Sequence, residues 1–325
     1  MILAGDIGGT KTNLALFDTQ NDKLHLVEQR SFKSNAYMDL EAILKEFIAE
    51  FQPTFTAAAF GVAGPVLNGR VEATNLPWII NAGSLANLLK LSNVGLINDL
   101  EANAYGIPLL GPEEFIVLNE GDKTRTGNAG LISAGTGLGT ACMFWDGQKH
   151  VPSASEGGHQ DFSPNGELQV ELLRYLMRQF GHVSIERVIS GIGFLNIYKF
   201  LKDYGYADEP EWLAKEMTQG DPNAVITKAA LERKSELCMK TLDLFVSAYG
   251  AEAGNLALVV KALGGLYVGG GIAPKIIDKM KDGTFMGAFT DKGRLTGLMA
   301  TIPVKVIMND KTALIGAASY AQMYC

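Results

Sequence analysis

A chain of 325 residues, 47% hydrophobic and 19% charged, has the length for two domains and too much apolar material for disorder. Its net charge of −7 offers no basic surface to nucleic acid or acidic lipid, so a bound anion must be held by local amides and single cations. No apolar run approaches the ~18 residues of a bilayer crossing; the scattered Cys142, Cys238 and Cys325 suit a reducing cytoplasm, with core packing as their ordinary role.

The first strand is expected from Ile2, which leaves no room for a secretory signal. A three-strand meander follows: Ile2–Asp6, Asn13–Asp18 and Leu24–Phe32. Leu40, Ile43, Leu44, Phe47 and Ile48 form one stripe of a helix over Leu40–Phe51. Ala57–Val62 is a buried strand, Leu85–Lys90 a helix with Ser84 as its N-cap, and Val94–Ile97 a strand running into Asn98-Asp99. A helix begins at Leu100 or Glu101. The order then restarts with strands Leu131–Ala134 and Thr140–Trp145 and an amphipathic helix Glu167–Phe180. Helices are expected over Gly191–Tyr204, Trp212–Gln219, Asn223–Leu231 and Ser235–Leu263. Leu266–Gly269 and Val304–Val306 are strands, and Thr312–Tyr324 is a last helix. Two halves built alike therefore face each other across a cleft: residues 1–105 with 309–325 returning to them, and residues 106–308.

Gly5-Asp6-Ile7-Gly8-Gly9-Thr10-Lys11 joins two apolar runs. It reads either as a tight hairpin needing positive φ at its glycines or as a nest of backbone N–H groups for phosphate, with the Thr10 hydroxyl beside it. It is no Walker loop, because Lys11 follows Thr10 and a strand follows the turn. Asp6, at a strand end beside such amides, is poorly placed unless a cation joins it, and Mg²⁺ travels with nucleotide phosphates. Gly135-Thr136-Gly137-Leu138-Gly139 repeats the design, and two such nests can grip one polyphosphate. Gly269-Gly270-Gly271 ends a buried strand, as a helix N-terminus or as a floor for an adenine ring. Asp99 is either the N-cap of the following helix or a catalytic carboxylate, since ligands of open α/β sheets sit at strand carboxyl ends. Glu156-Gly157-Gly158-His159 would bind a metal, though no third ligand lies near, or would present two side chains to a small polar ligand. Glu186 suits the first turn of a short helix, and Asn75 an Asx turn.

Taken in order, Gly5–Thr10, Asn75-Leu76-Pro77-Trp78, Ile97-Asn98-Asp99, Gly135–Gly139, Glu156–His159, His182-Val183-Ser184-Ile185-Glu186-Arg187 and Gly269–Gly271 resemble the bacterial-type glucokinases over almost the whole chain. The resemblance implies an α/β fold of two ribonuclease-H-like, actin-like ATPase domains around a cleft. It implies ATP and Mg²⁺ as cofactors, with phosphates at Asp6, Gly8, Gly9, Thr10, Gly135, Thr136 and Gly137, the adenosine near Gly269, Gly270 and Gly271, and Asp6 meeting the metal through water. Glucose would be held by Asn98, Asp99, Glu156, His159 and Glu186, bordered by Asn75 and Gly137, with Asp99 as base. Related sugar kinases carry a zinc site of one His and a cysteine cluster. This chain has His159 but no Cys between Cys142 and Cys238, which points to the zinc-free group.

The reaction so implied moves the ATP γ-phosphoryl group to the glucose 6-hydroxyl and feeds glycolysis, in a cytoplasmic homodimer with no nucleic-acid or membrane partner. A kinase for fructose, mannose or an N-acetylated amino sugar would share the phosphate machinery. A transcriptional sugar sensor would usually carry an N-terminal DNA-binding segment, and only five residues precede Asp6. A filament or chaperone ATPase would have no use for the Asn98, Asp99, Glu156, His159 and Glu186 cluster.

Overall fold

The computed structural model describes every residue except Asp22 and Gln52. The chain begins β1 (Ile2–Ile7), β2 (Lys11–Gln20), β3 (Lys23–Lys33), α1 (Leu40–Phe51), β4 (Ala57–Val62), β5 (Val66–Leu67), β6 (Arg70–Glu72), β7 (Ile79–Asn81), α2 (Ala82–Leu89), β8 (Gly95–Asn98) and α3 (Asp99–Gly106). It continues through β9 (Phe115–Asn119), β10 (Ala129–Ala134), β11 (Leu138–Trp145), β12 (His150–Ser155), α4 (Glu167–Phe180), α5 (Gly191–Asp203), α6 (Glu211–Gln219), α7 (Pro222–Leu231) and α8 (Glu236–Val260). The last elements are β13 (Gly265–Gly269), α9 (Ile277–Lys281), α10 (Thr284–Thr290), α11 (Thr296–Ala300), β14 (Val304–Ile307) and α12 (Thr312–Tyr324). No helix among the described residues is long and apolar enough to cross a membrane.

Two compact units result. One holds Met1–Glu114, Val151–Ala154 and Asn309–Cys325; the other holds Phe115–His150 and Ser155–Met308. The first unit runs past residue 105 to Glu114, because α3 continues into a 3-10 turn and the Glu114 carboxylate accepts from both Gly111 N (2.6 Å) and the Asn309 amide.

In the first unit the sheet order is β3-β2-β1-β4-β8, with β1 antiparallel to β2 and parallel to β4. Strand alternation divides its side chains between two cores. Leu3, Ile7, Leu14, Leu16 and Phe60 meet α1 through its buried stripe of Leu40, Ile43, Leu44 and Phe47. Ile2, Ala4, Ala15, Phe17, Ala57 and Ala59 meet Leu314, Ala317, Ala318 and Ala321 of α12, so the final helix does complete the N-terminal sheet. Asp6 and Gly61 continue this second face toward the carboxyl ends of β1 and β4, where they are register partners. A Cβ on Gly61 would lie 2.8 Å from the Ala102 Cβ and 3.6 Å from the Asp99 Cα. Glycine there lets the start of α3 settle on the sheet beside Asp6.

The second unit repeats the plan. Its sheet order is β12-β11-β10-β13-β14-β9, with β10 antiparallel to β11 and parallel to β13, and β9 added antiparallel at the β14 edge. The 25-residue α8 packs Phe245, Tyr249, Ala253 and Leu256 into the same core as Ile132, Leu266 and Val268.

Several local expectations are corrected. The α2 helix starts at Ala82 and is capped by Asn81, whose Oδ1 accepts from Gly83 N (2.9 Å) and Ser84 N (3.2 Å); Ser84 is inside the helix. After Gly271 comes a 3-10 turn, Ala273–Ile276, before the five-residue α9, so the third glycine run does not open a full helix. The short strands β5, β6 and β7, and the strands β9 and β12, have no clear two-residue apolar alternation to announce them.

Candidate active site

The first glycine turn is the tip of the β1–β2 hairpin. Gly8 N donates to Lys11 O (3.0 Å), Ser34 Oγ donates to Gly8 O (2.8 Å), and Ser34 N donates to Thr10 O (3.1 Å). These bonds occupy the carbonyls of Gly8, Thr10 and Lys11 and leave the Gly9 and Thr10 N–H groups uncommitted among the described residues, beside the exposed Thr10 side chain. Neither Gly8 nor Gly9 has positive φ, contrary to the expectation for a tight hairpin. Close approach is what requires glycine here: a Cβ on Gly9 would sit 2.5 Å from the Asn75 Cβ. Asn75 is thereby placed on the tip, exposed.

Asp6 leaves β1 just before this turn. Its register partner Asn13 donates Nδ2 to Asp6 Oδ2 (3.2 Å) and accepts at Oδ1 from Ser31 Oγ (2.7 Å). Burial pushes the Asp6 carboxyl above its usual range, against the Asn13 hydrogen bond and the Lys11 charge that favour the carboxylate. Burial disfavours the charged form of this carboxyl, a cost that a cation beside it would offset. No group of three or more His, Cys, Asp or Glu able to hold a metal occurs among the described residues. A lone carboxylate fits Mg²⁺, which keeps several waters and takes phosphate oxygens as its other ligands.

At the end of β8 the two neighbouring polar residues divide their tasks. Asn98 is the N-cap of α3: its Oδ1 accepts from Leu100 N (2.9 Å) and Glu101 N (3.4 Å), and its Nδ2 donates to Gly64 O (3.2 Å). The capping role weighed for Asp99 thus belongs to Asn98, which keeps at most one N–H for a ligand. Asp99 occupies the first helical position, half-buried, with Oδ1 accepting from Leu100 N (2.9 Å) and its carbonyl accepting from Asn103 Nδ2 (3.0 Å). Asp6, Gly8, Gly9, Thr10, Asn75, Asn98 and Asp99 all lie in the first unit.

The second turn is the tip of the β10–β11 hairpin. Gly135 N donates to Gly137 O (2.8 Å), and Gly135 O accepts from Gly191 N (2.9 Å) at the start of α5. Here too the glycines avoid positive φ, and two adjacent N–H groups, of Thr136 and Gly137, stay uncommitted among the described residues. Glu186 lies against this tip. Its Oε2 accepts from Leu138 N (2.9 Å), and a Cβ on Gly137 would come within 2.4 Å of that same oxygen. The Glu186 turn (Ile185–Arg187) is anchored further by Ser190 Oγ, which donates to Glu186 O (2.7 Å) and accepts from Gly193 N (3.0 Å) as the α5 cap. Glu156 and His159 flank a 3-10 turn, with His159 N donating to Glu156 O (3.0 Å), and both side chains are exposed. Gln160 O accepts from Ile185 N (2.8 Å), so Glu156, His159 and Glu186 belong to one bonded network beside the tip.

The third run divides by residue. Gly270 takes positive φ (84°) and packs on the Ala134 backbone, whereas Gly271 borders a cavity of about 830 Å³. Gly135 and Thr136 border the same cavity, so the second and third glycine runs open on one space. Its wall also includes Phe194, Leu195, Asn223, Thr227, Phe245 and Ile276, which belong to no sequence motif and carry no signal beyond that of ordinary helix residues. Tyr249 was equally invisible. Fully buried, its hydroxyl accepts from Ala134 N (3.1 Å) and faces the carbonyls of Gly269 (3.3 Å) and Ile132 (3.5 Å). It therefore pins together the ends of β10 and β13, the strands that deliver both glycine runs.

The family profile described as Glucokinase matches residues 3–324. A curated glucokinase of Nostoc punctiforme is 40% identical over 333 residues, covering 98% of each chain. That of Synechocystis sp. is 42% identical over 341 residues, covering 97% of this chain and 96% of the relative. A crystal structure of glucokinase from an Antarctic psychrotroph superposes with a TM-score of 0.83 at 30% identity, covering 99% of this chain and 98% of the other. With the paired hairpins, two sheets of one strand order and Asp99 at the β8 end, these likenesses establish that the chain belongs to the glucokinase family.

Proposed function

We infer that this protein transfers the γ-phosphoryl group of ATP to the 6-hydroxyl of D-glucose, giving glucose 6-phosphate and ADP. Family membership supports the sugar and the reaction. The observation that carries the nucleotide half is the single cavity of about 830 Å³ bordered by Gly135, Thr136 and Gly271. That volume lies within the range of small-molecule sites, and phosphate-seeking amides stand at its edge.

Phosphoryl transfer passes through a loose transition state, so the protein mainly positions the reactants and stabilises charge. The uncommitted amides of Gly9, Thr10, Thr136 and Gly137 and the two threonine hydroxyls would receive phosphate oxygens. Asp6 would help to hold Mg²⁺, which when bound would supply charge neutralisation at the phosphates. Asp99 would take the proton of the 6-hydroxyl as the new bond forms. Glu156, His159, Glu186 and the remaining Asn98 N–H would hold sugar hydroxyls, with Asn75 and Gly137 at the border. An analogue lacking one such hydroxyl should lose about 1–3 kcal/mol, because a polar group that the bound sugar covers is then left unpaired.

The test is a coupled assay with ATP, Mg²⁺ and a panel of hexoses. Glucose should give the highest kcat/KM. A clear preference for fructose, mannose or an N-acetylated amino sugar would overturn the glucose assignment. The reading extends to a cytoplasmic homodimer supplying glycolysis, and sedimentation of the purified protein tests its dimeric state.

A further inference from the structure

Nothing in the glycine motifs chooses one purine over another. We propose that Asn223 reads the nucleobase and selects adenine, an inference that rests on the nucleotide-binding reading of the second unit's cavity. Asn223 stands in the first turn of α7, where its backbone N–H donates to Asp221 Oδ1 (3.0 Å) and its side chain forms part of the cavity wall. A Cβ on Gly191 would lie 3.6 Å from Asn223 Nδ2, so the amide borders the same α5 start that touches the second hairpin tip. Its Oδ1 is a buried side-chain oxygen without a hydrogen-bond partner, and no other such atom occurs among the described residues.

An unpartnered buried carbonyl is costly, and native proteins rarely keep one without a use. The surrounding wall is mainly apolar, with Phe194, Leu195, Phe245 and Ile276 suited to the faces of a flat ring. A soft χ2 torsion lets the amide turn its oxygen to the cavity surface at little cost. What the oxygen lacks is a donor. Adenine supplies one in its 6-amino group, and the amide Nδ2 can then donate to a ring nitrogen, the pairing by which Asn commonly meets adenine. Guanine and hypoxanthine carry a carbonyl oxygen at position 6, acceptor against acceptor for the amide orientation that meets adenine, and pairing with them would require the amide reversed. The glycine tips hold phosphates common to all nucleoside triphosphates, so discrimination must come from the base end.

The experiment is calorimetric titration of ADP, GDP and IDP into the wild-type protein, Asn223→Ala and Asn223→Asp, with melting temperatures of all three proteins. The wild type should bind ADP roughly 10- to 100-fold more tightly than GDP or IDP, the range expected when a buried acceptor is left unpaired. Asn223→Ala should weaken ADP about tenfold while moving GDP and IDP less than about threefold, and should not lower the melting temperature, since it deletes an unsatisfied group. Asn223→Asp keeps an acceptor oxygen and should recover part of the ADP preference over Asn223→Ala. Equal wild-type affinities for ADP and GDP would overturn the proposal. So would an equal loss for all three nucleotides in Asn223→Ala, which would mark a structural role at the α7 start. These titrations stand apart from the sugar: a wild-type protein that prefers ADP but phosphorylates no hexose would refute the proposed reaction and leave the base-reading role intact.

Discussion

Two acidic residues of the first unit occupy different environments, and each predicts a different failure. Asp99 sits at the first position of α3, while Asn98 does the capping. Asp99→Asn should therefore leave the Asn98 cap in place and remove the carboxylate charge and its proton-accepting capacity. Turnover in the coupled assay should fall roughly 10²–10⁴-fold, with glucose affinity changed far less. Loss of less than about tenfold would show that another group accepts the proton. Asp6 is strained electrostatically, because burial holds its carboxyl above the ordinary range. Its folded state thus retains the proton to higher pH than the unfolded chain does. The stability this contributes is complete below the unfolded value near ~4 and is lost as pH rises through the folded value. Asp6→Asn should consequently be more stable than the wild type at pH 7, by about 1 kcal/mol, and lose that advantage near pH 4. The same variant should be catalytically crippled. Melting curves at the two pH values check the sign, and an unchanged difference between them would refute it. The strand ends that carry Asp6 and Asp99 were legible from residue types and spacing, whereas the base role of Asp99 came from the family resemblance alone. Which of Asn98 and Asp99 caps the helix was not legible, because both are good caps and only the backbone geometry decides.

Longer elements were readable because their apolar period is strong. The α1 stripe, the fully apolar β4 and the amphipathic α4 fall where the pattern puts them. Short strands such as β5 and β7 escaped, since two or three residues carry no period. Contacts made by helices at a distance in sequence also escaped. Tyr249 looks like any aromatic residue of a long buried helix, yet its hydroxyl joins the Ala134 amide to the carbonyl ends of β10 and β13. Burial pushes its phenol far above the usual range, so it remains a neutral donor and acceptor. Tyr249→Phe keeps the ring in the core and leaves a buried N–H without its partner, which should cost about 1–3 kcal/mol of stability. Because that N–H lies one residue before Gly135, ADP affinity should fall as well, while a conservative core change such as Phe285→Leu should destabilise without a comparable loss of ADP binding. Chemical denaturation and nucleotide titration on both variants separate these effects. Equal ADP binding by Tyr249→Phe and the wild type would show that the strand ends hold their places without the phenol.

At the scale of the whole chain, one strand order is used twice, and each copy offers two uncommitted amides at the tip of its first hairpin. The copies are not equivalent. The first carries carboxylates, Asp6 and Asp99, beside its tip, whereas the second carries the cavity and the Glu156, His159 and Glu186 network. A nucleoside should therefore engage the second unit through side chains and the first mainly through phosphates. Amide hydrogen exchange resolves this residue by residue, because a ligand protects the elements whose opening would release it, by about 2.7 kcal/mol at a concentration 100 times its Kd. With ADP and Mg²⁺, slowing should be largest at Gly135–Leu138, at the starts of α5 and α7, and at 272–276. The first unit should change little beyond Gly8–Lys11. Glucose alone should instead slow the segments around Asn75, Asn98–Leu100, Glu156–Gln160 and Ile185–Arg187. Should ADP slow the first unit throughout and leave the α5 and α7 starts untouched, the nucleoside does not occupy the cavity. The division of labour between the two sheets would then have to be assigned the other way round.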